Sequence, residues 1–144
     1  MEEKFKTYMN EISVPEVVQN RVEQIIDELK TLYDNYQVKD IFLSQVRQDS
    51  SIAYTSLWVF GDNFCTECKN FLNADDYDIT FLSKNVQYFN IVKTKLPAMK
   101  VQDDSYVQVL AQLDKVSCTL TAVGRNCINA VSLAKKYFLS NAMC

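Results

Sequence analysis

The chain has 144 residues, of which 48% are hydrophobic, so it carries enough apolar mass for one folded domain and more than a disordered chain does. Its 15 basic and 18 acidic residues leave a net charge of −3, which argues against the broad basic surfaces that bind nucleic acids or anionic membranes. Histidine is absent, and this excludes Ser-His-Asp and Cys-His catalytic systems built from this chain alone. The sequence predicts no catalytic residues and no cofactor.

The cysteines and the hydropathy pattern bear on the compartment of the protein. The N-terminus has no apolar h-region, and no apolar run approaches the roughly 20 residues that cross a bilayer. Five cysteines without an export signal are typical of reduced thiols. We therefore expect a cytoplasmic, reducing location with no membrane contact.

The N-terminal part of the chain predicts one long amphipathic helix. Residues 1–12 look like a polar lead-in, and the helix is expected over residues 13–36. Ser13 and Glu16 have capping-box spacing, and Pro15 lies in the first turn, where its missing N–H does no harm. Apolar residues then recur at alternating steps of four and three, as on one helix face: Val18, Val22, Ile25, Leu29, Leu32 and Tyr36.

Residues 38–123 predict an antiparallel β-region of about five to seven strands. The segment is rich in β-branched and aromatic residues and is divided by short polar turns. The clearest hairpin flanks Asp114-Lys115, because apolar and polar residues alternate on both sides of this turn. Residues 86–96 fit a strand by composition and a helix by the spacing of Tyr88, Val92 and Leu96, so both structures stay open there.

A closing helix is predicted over residues 125–142, directly after Gly124 ends the last strand. Its inward residues are expected to be Ile128, Val131, Ala134 and Phe138. No linker, repeat or low-complexity tract divides the chain, so residues 1–144 are expected to form a single α+β domain.

Two apolar rows could bind a partner or could fill the core. The helix stripe has the spacing of a dimer or partner face, but it would equally cover one side of a β-sheet. Tyr54, Trp58 and Phe60 are expected on one face of a strand, either as an aromatic binding platform or as core packing. The candidate partner-binding residues are Val18, Val22, Ile25, Leu29, Leu32, Tyr54 and Trp58.

Cys65 and Cys68 form a C-x-x-C pair that could be a zinc half-site or a redox pair. A zinc site would require two further ligands, and a redox pair usually lies at a helix N-terminus. These cysteines are instead expected on a strand, where residues three apart point to opposite faces. Ordinary reduced cysteines are the favoured interpretation, and no metal site is predicted.

The β-region and the closing helix resemble pleckstrin-homology-like domains, which are bent antiparallel β-barrels closed by a C-terminal helix. Ser56–Asn63 followed by Phe64–Cys68 resembles the family's apolar strand, short turn and next strand. Val116–Gly124, running into the last helix, looks like its final strand and capping helix. Lipid-binding members carry a basic pocket, whereas the first strand here has only Lys39 and Arg47. The resemblance therefore implies a protein-binding module.

A second resemblance is to the Alba family of nucleic-acid-binding proteins. Ala122–Arg125 with the small and apolar residues of Ala130–Ala134 looks like that family's β2–α2 segment. Ile79–Lys84 looks like its first strand and the basic residue after it. This resemblance implies that Lys84 and Arg125 contact the backbone of DNA or RNA.

The leading hypothesis is a non-enzymatic protein-interaction module of pleckstrin-homology-like architecture. It would act as an adaptor or as an inhibitor that masks a partner surface, and it could form a homo-oligomer through the N-terminal helix. The alternative is an Alba-like nucleic-acid-binding protein.

Overall fold

The computed structural model describes residues 1–62, 64–83 and 85–139, and its chain begins with two helices. Helix α1 spans Glu3–Glu11 and helix α2 spans Glu16–Leu32. The long helix predicted from the apolar stripe is thus present, but it is shorter than the predicted span 13–36, so Ser13 lies before it and Tyr36 lies beyond its end. A shorter helix precedes it.

Helix α1 corrects the expectation of a polar lead-in over residues 1–12. Phe5 and Met9 are four residues apart, lie on one helix face and are buried. A helix of nine residues is marginal in water on its own, so its stability depends on packing against the rest of the chain. Its aromatic and apolar residues, Phe5, Tyr8 and Met9, cover little more than one helical turn, which is too short to establish a helical period in the sequence.

Four antiparallel strands form the first sheet, in the order β1-β2-β3-β4. Their spans are Asp40–Gln48, Ser51–Phe60, Phe64–Lys69 and Asp78–Ser83. Consecutive strands are neighbours throughout, as in a meander, because each connection is short enough to turn the chain directly back on itself.

Three further antiparallel strands form the second sheet, in the order β5-β6-β7. They span Val86–Thr94, Tyr106–Leu113 and Val116–Val123. Strand β5 resolves the ambiguity over residues 86–96 in favour of β-structure, and the hairpin predicted around Asp114-Lys115 is confirmed as β6–β7.

The last element of the described part of the chain is a helix that packs on the second sheet. Helix α3 spans Asn126–Leu133 and continues as a π-helical segment over Ala134–Leu139. The closing helix is confirmed over these residues, and the remainder of its predicted span, residues 140–142, lies outside the described part. Ile128 differs from the expectation, because it is 36% exposed rather than turned fully inward.

Two hydrophobic cores lie on opposite faces of the first sheet. The outer core lies between this sheet and helices α1 and α2. The inner core lies between the first sheet, the second sheet and the C-terminal helix, and it includes Phe42, Trp58 and Phe60. The first sheet is therefore covered on both sides, which explains the uninterrupted apolar runs Ile41–Leu43 in β1 and Leu57–Phe60 in β2.

A β-bulge in β2 divides that strand between the two cores. Ser56 pairs with Ser44 and Tyr54 pairs with Gln45, so Thr55 is an extra residue without a cross-strand partner. Because side chains alternate along a strand, the extra residue moves Tyr54 to the opposite face from Trp58. Tyr54 accordingly packs against the outer core, whereas Trp58 belongs to the inner core.

The fold is therefore α+β, as predicted, and the described residues form two N-terminal helices, seven antiparallel strands and a C-terminal helix. The strands form two sheets rather than a closed barrel. Within the described residues, no helix is both long enough and apolar enough to cross a membrane.

Candidate functional site

Most of the candidate residues on helix α2 lie in the outer core. Val18, Val22, Ile25 and Leu29 are between 0% and 6% exposed. The first sheet of the same chain covers them, so the partner-binding interpretation is replaced by the core interpretation. Leu32 lies at the end of the helix and is 59% exposed. The apolar face that a homo-oligomer through this helix would use is thus already covered by the first sheet of the same chain.

The aromatic platform expected on β2 does not form, because of the bulge at Thr55. Trp58 and Phe60 share the inner core and are fully buried, and their rings stack 6.2 Å apart. Tyr54 lies on the other face and is half-buried. Neither Tyr54 nor Trp58 therefore contributes to a common aromatic surface.

Arg125, one of the two residues implied in nucleic-acid contact, is exposed immediately before α3. It lines a cleft of about 360 Å³ together with Arg47, but Glu11 and Asp103 line the same cleft. The cleft is thus of mixed charge. Lys84, the other candidate, lies outside the described residues.

The cysteine pair on β3 has the orientation that a strand predicts. Cys65 faces the inner core and Cys68 faces the outer core, and both are buried. Burial, followed by the nearby carboxylates of Glu28 and Glu67, raises the pKa of the Cys68 thiol to about 12. Among the described residues, no cluster of three or more cysteine or carboxylate side chains could hold a metal ion.

Side chains join the edge of β1 to the edge of β7, where the two sheets meet. Gln45 Oε1 accepts a hydrogen bond from the backbone N–H of Val123 at 3.2 Å, and Ser44 Oγ accepts one from that of Thr121 at 3.3 Å. Asn126 on α3 donates to the carbonyl oxygen of Leu43 at 2.9 Å. These contacts satisfy backbone groups that a closed barrel would pair directly.

The outer side of strand β5, unlike the edges of β1 and β7, has no partner in the described part of the chain. Tyr88 and Val92 are 58% and 43% exposed on its outer face. Phe89 and Ile91 are half-buried on the inner face, where they pack against the inner core. The edge therefore combines unpaired backbone groups with apolar side chains on both faces.

The C-terminal segment and the neighbouring strand hold β5 in place. The Phe89 ring lies 6.3 Å from that of Phe138 in the π-helical segment. On the outer face, Leu110 of β6 pairs with Asn90 and is 36% exposed, so it extends the apolar surface formed by Tyr88 and Val92. We call the outer side of β5 with these side chains the β5 edge.

The β5 edge is electropositive in an acidic protein. Residues 79–102 contain four lysines and no aspartate or glutamate, although the whole chain has a net charge of −3. Lys95 Nζ lies 2.8 Å from Asp104 Oδ2, and this hydrogen bond lowers the pKa of the Asp104 carboxyl. Lys93 is exposed on β5, and within the described residues it forms no ion pair.

The residues of the β5 edge were not among the candidates from the sequence. The sequence fits both a strand and a helix over residues 86–96, so it did not predict an edge strand there. In addition, an edge strand is defined by the absence of a pairing partner, which sequence alone does not show. The charge asymmetry was nevertheless visible in the sequence as a run of 24 residues without an acidic side chain.

Comparisons with known proteins identify no relative of this chain. No protein-family model, no curated protein and no solved structure matches the chain.

Proposed function

We propose that this protein is a non-enzymatic protein-interaction module that binds an extended, acidic segment of a partner protein along the β5 edge. In this way it would act as an adaptor or as an inhibitor that masks a partner surface. The observation that carries the proposal is that no strand in the described part of the chain pairs with the outer side of β5. This strand exposes Tyr88 and Val92 on one face and partly exposes Phe89 and Ile91 on the other.

An extended segment suits this edge for a physical reason. Unpaired N–H and C=O groups of an edge strand are a template for a further strand, and the resulting ladder supplies affinity without regard to sequence. Alternate side chains of the added strand would then contact Tyr88 and Val92 or Phe89 and Ile91, and these contacts would supply specificity.

Charge complementarity selects an acidic segment. Lys93 projects from the strand itself, and the surrounding residues 79–102 carry no negative side chain. Such a local positive potential speeds association with a negatively charged segment, and opposite charges on adjacent strands stabilise their pairing. The resemblance to pleckstrin-homology-like domains remains part of the proposal, and the succession of seven antiparallel strands and a closing helix supports it.

The test is selection of random displayed peptides against the full chain, followed by affinity measurements with the variant Val92→Glu. We expect the selected peptides to be acidic and rich in β-branched residues, and their affinity to fall at least about tenfold in this variant. Val116→Glu is a matched control, because Val116 is also 43% exposed but lies two strands away on β7.

Two results would contradict the proposal. One is equal loss of affinity in both variants, because this would indicate a general effect of negative charge. The other is a set of peptides whose binding perturbs the backbone amide resonances of a different surface and leaves those of β5 unchanged.

The alternative function, nucleic-acid binding, rests on Lys84 and Arg125. The single structural observation in its favour is that Arg125 shares a cleft with Arg47. It predicts that affinity for a mixed DNA and RNA pool falls steeply with salt and falls again in the variant Lys84→Gln/Arg125→Gln. Absence of salt-dependent binding would reject this function and leave the β5 edge as the site to study.

A further inference from the structure

Strand β4 gives the molecule a second open edge, at the side of the first sheet that lies away from β1. Its one neighbour is β3, and no strand in the described part of the chain pairs with its other side. Apart from the bonds to β3, no backbone hydrogen bond among the described residues involves Asp78–Ser83. Unpaired N–H and C=O groups therefore line this strand as they line β5. We call the outer side of β4 the β4 edge.

The side chains of β4 are those of a strand that accepts a further strand. Ile79 and Phe81 lie on the face toward the outer core, where Ile79 is half-buried and Phe81 is 44% exposed. Leu82 lies on the other face and is buried in the inner core. The strand has no proline or lysine, which are the residues that commonly protect an edge from strand addition.

The chain that leads into β4 is acidic. Residues 70–83 contain three aspartates and no lysine or arginine. All three aspartates are exposed: Asp75, Asp76 and Asp78. Lys69 is the cross-strand neighbour of Asp78, but its Nζ lies 4.0 Å from Glu67 Oε1, and Asp78 forms no ion pair with a described residue. The β4 edge is therefore electronegative, whereas the β5 edge is electropositive.

The two edges match in the order of their side chains as well as in charge. In an antiparallel pair that places Asp78 opposite Lys93, Ile79 lies opposite Val92 on the other face. Phe81 then lies diagonal to Val92, at a distance that an aromatic ring can span. A shift by one residue would place Asp78 opposite Val92 and would lose both the charge pair and the apolar pair.

Within one chain the two edges do not pair with each other. Strand β4 belongs to the first sheet and β5 to the second, and each packs one face on the inner core. Both edges are thus available to a second copy of the chain. Two β5 edges would bring positive segments together and two β4 edges would bring negative segments together, so charge favours the pairing of unlike edges.

We propose that two copies of this chain associate by pairing the β4 edge of one copy with the β5 edge of the other. Because it uses the β5 edge, this inference rests on the proposed function, and it names one acidic, extended segment that the edge binds, which is Asp78–Ser83 of a second copy. Association then occupies the β5 edge, so it competes with other acidic partners. By mass action, the edge is covered at high protein concentration and open at low concentration.

The first experiment measures the sedimentation of the full chain over a wide range of concentrations, together with backbone amide NMR spectra of the same samples. We expect association at high concentration, and we expect the amide resonances of β4 and β5 to shift as it occurs. Sedimentation as a single chain at every concentration, or shifts confined to other elements, would overturn the proposal.

Two charge reversals test the pairing of unlike edges. Asp78→Lys and Lys93→Asp each place like charges opposite one another, so each variant alone should associate at least about tenfold more weakly than the wild type. An equal mixture of the two variants should regain the affinity of the wild type, because every opposed pair of charges is again unlike. A mixture that associates no better than either variant alone would overturn the proposal.

Matched controls reverse exposed charges on the helices instead of on the two edges. Asp27→Lys on α2 and Lys6→Asp on α1 change the net charge by the same amounts and should leave the association unchanged. If the controls weaken association as much as the edge variants do, net charge is the cause and the paired edges are rejected.

A titration with the peptides selected against the β5 edge separates this inference from the proposed function. Asp78→Lys leaves the β5 edge unchanged but should not self-associate, so its peptide affinity reports on that edge alone. Peptide binding by a wild type that does not self-associate would support the proposed function and overturn this inference. Self-association through β4 and β5 without peptide binding would support this inference and reject a foreign acidic partner.

Discussion

The side chain of Gln45 takes the place of a neighbouring strand for Val123, because its Oε1 accepts the backbone hydrogen bond of that residue at 3.2 Å. The same oxygen accepts a hydrogen bond from Asn126 Nδ2 at 3.1 Å. Tyr8 of α1 completes the cluster, since its hydroxyl accepts from the N–H of Leu43 and donates to Asn126 Oδ1, both at 2.9 Å. One buried polar network thus ties together both sheets, α1 and α3.

Asn126→Leu should therefore be strongly destabilising. It removes the hydrogen-bond partner of the Leu43 carbonyl oxygen and of the Tyr8 hydroxyl, and unsatisfied buried groups cost about 1–3 kcal/mol each. We expect the free energy of unfolding in urea to fall by about 2–4 kcal/mol. Asn129→Ala, which removes one donor at the half-buried rim, should cost less than about 1 kcal/mol. Similar losses in the two variants would contradict the proposed role of the network.

Helix α2 offers a test of the core interpretation of its apolar stripe. Ile25 is fully buried in the outer core, so Ile25→Ala should lower the free energy of unfolding by about 2–5 kcal/mol. Val17 lies on the same helix but is 74% exposed, and Val17→Ala should change the stability by less than about 0.5 kcal/mol. Sedimentation of both variants should show the size of the wild type. Dissociation of an oligomer by Ile25→Ala without loss of stability would restore the partner-binding interpretation.

Glu67 on β3 should make the stability of the protein depend on pH. It is 6% exposed, and Ser56 Oγ donates to its Oε2 at 3.0 Å. Burial raises the pKa of the Glu67 carboxyl above its ordinary value of 4.5, against the opposing effects of Ser56 and Lys69. The folded state therefore holds this proton more tightly than the unfolded state does. The resulting stabilisation is present at low pH and is lost as the pH rises through the folded pKa.

At about pH 7 the wild type must keep a charged carboxylate buried, and Glu67→Gln removes this free-energy cost. The variant should therefore unfold at a higher urea concentration than the wild type at about pH 7. The difference between the two proteins should shrink as the pH falls toward about 4. Glu11→Gln, at an exposed carboxyl on α1, should show no such trend and serves as the control. A stability difference that stays constant across this range would contradict the prediction.

The described cysteines should react slowly with alkylating reagents in the folded protein. Cys65, Cys68, Cys118 and Cys127 are all buried and not joined in disulfides. Burial is the main reason why the pKa of the Cys118 thiol is raised to about 12 and that of the Cys127 thiol to about 11. Because the thiolate is the reactive form, labelling at about pH 8 should be at least about a hundredfold slower than in urea. Mass spectrometry of the labelled peptides gives each rate, and rapid labelling of Cys68 would indicate an open outer core.

The two glycines should differ in how they respond to replacement by alanine. Gly61→Ala places a Cβ 3.0 Å from the Tyr36 ring, so it should cost about 1–3 kcal/mol and change the near-UV circular dichroism of the tyrosines. Gly124 has a φ of +56° and ample space, since the nearest atom to a new Cβ is 3.7 Å away. Gly124→Ala should therefore cost about 1 kcal/mol through backbone strain alone, with an unchanged spectrum. Identical spectra for the two variants would contradict the crowding at Gly61.

Local periodicity predicted the elements whose own residues carry a complete pattern. The stripe of α2 and the alternation on both sides of Asp114-Lys115 are examples, and both elements form as expected. Helix α1 lacked such a pattern, since only Phe5 and Met9 are buried on it. For residues 86–96 two periods fitted equally well, and pairing with β6 decided between them.

Side-chain composition and spacing thus determined the α+β class, the antiparallel β-region and the two terminal helical parts, because each depends on interactions among residues close in sequence. Tertiary structure alone decided which faces are buried and which edges remain open. The bulge at Thr55 separates Tyr54 from Trp58 by one extra residue, and Gln45 reaches Val123 across 78 positions of the chain. The candidate site arises in the same way, because the side of β5 that no described residue pairs with depends on where distant strands and helices pack.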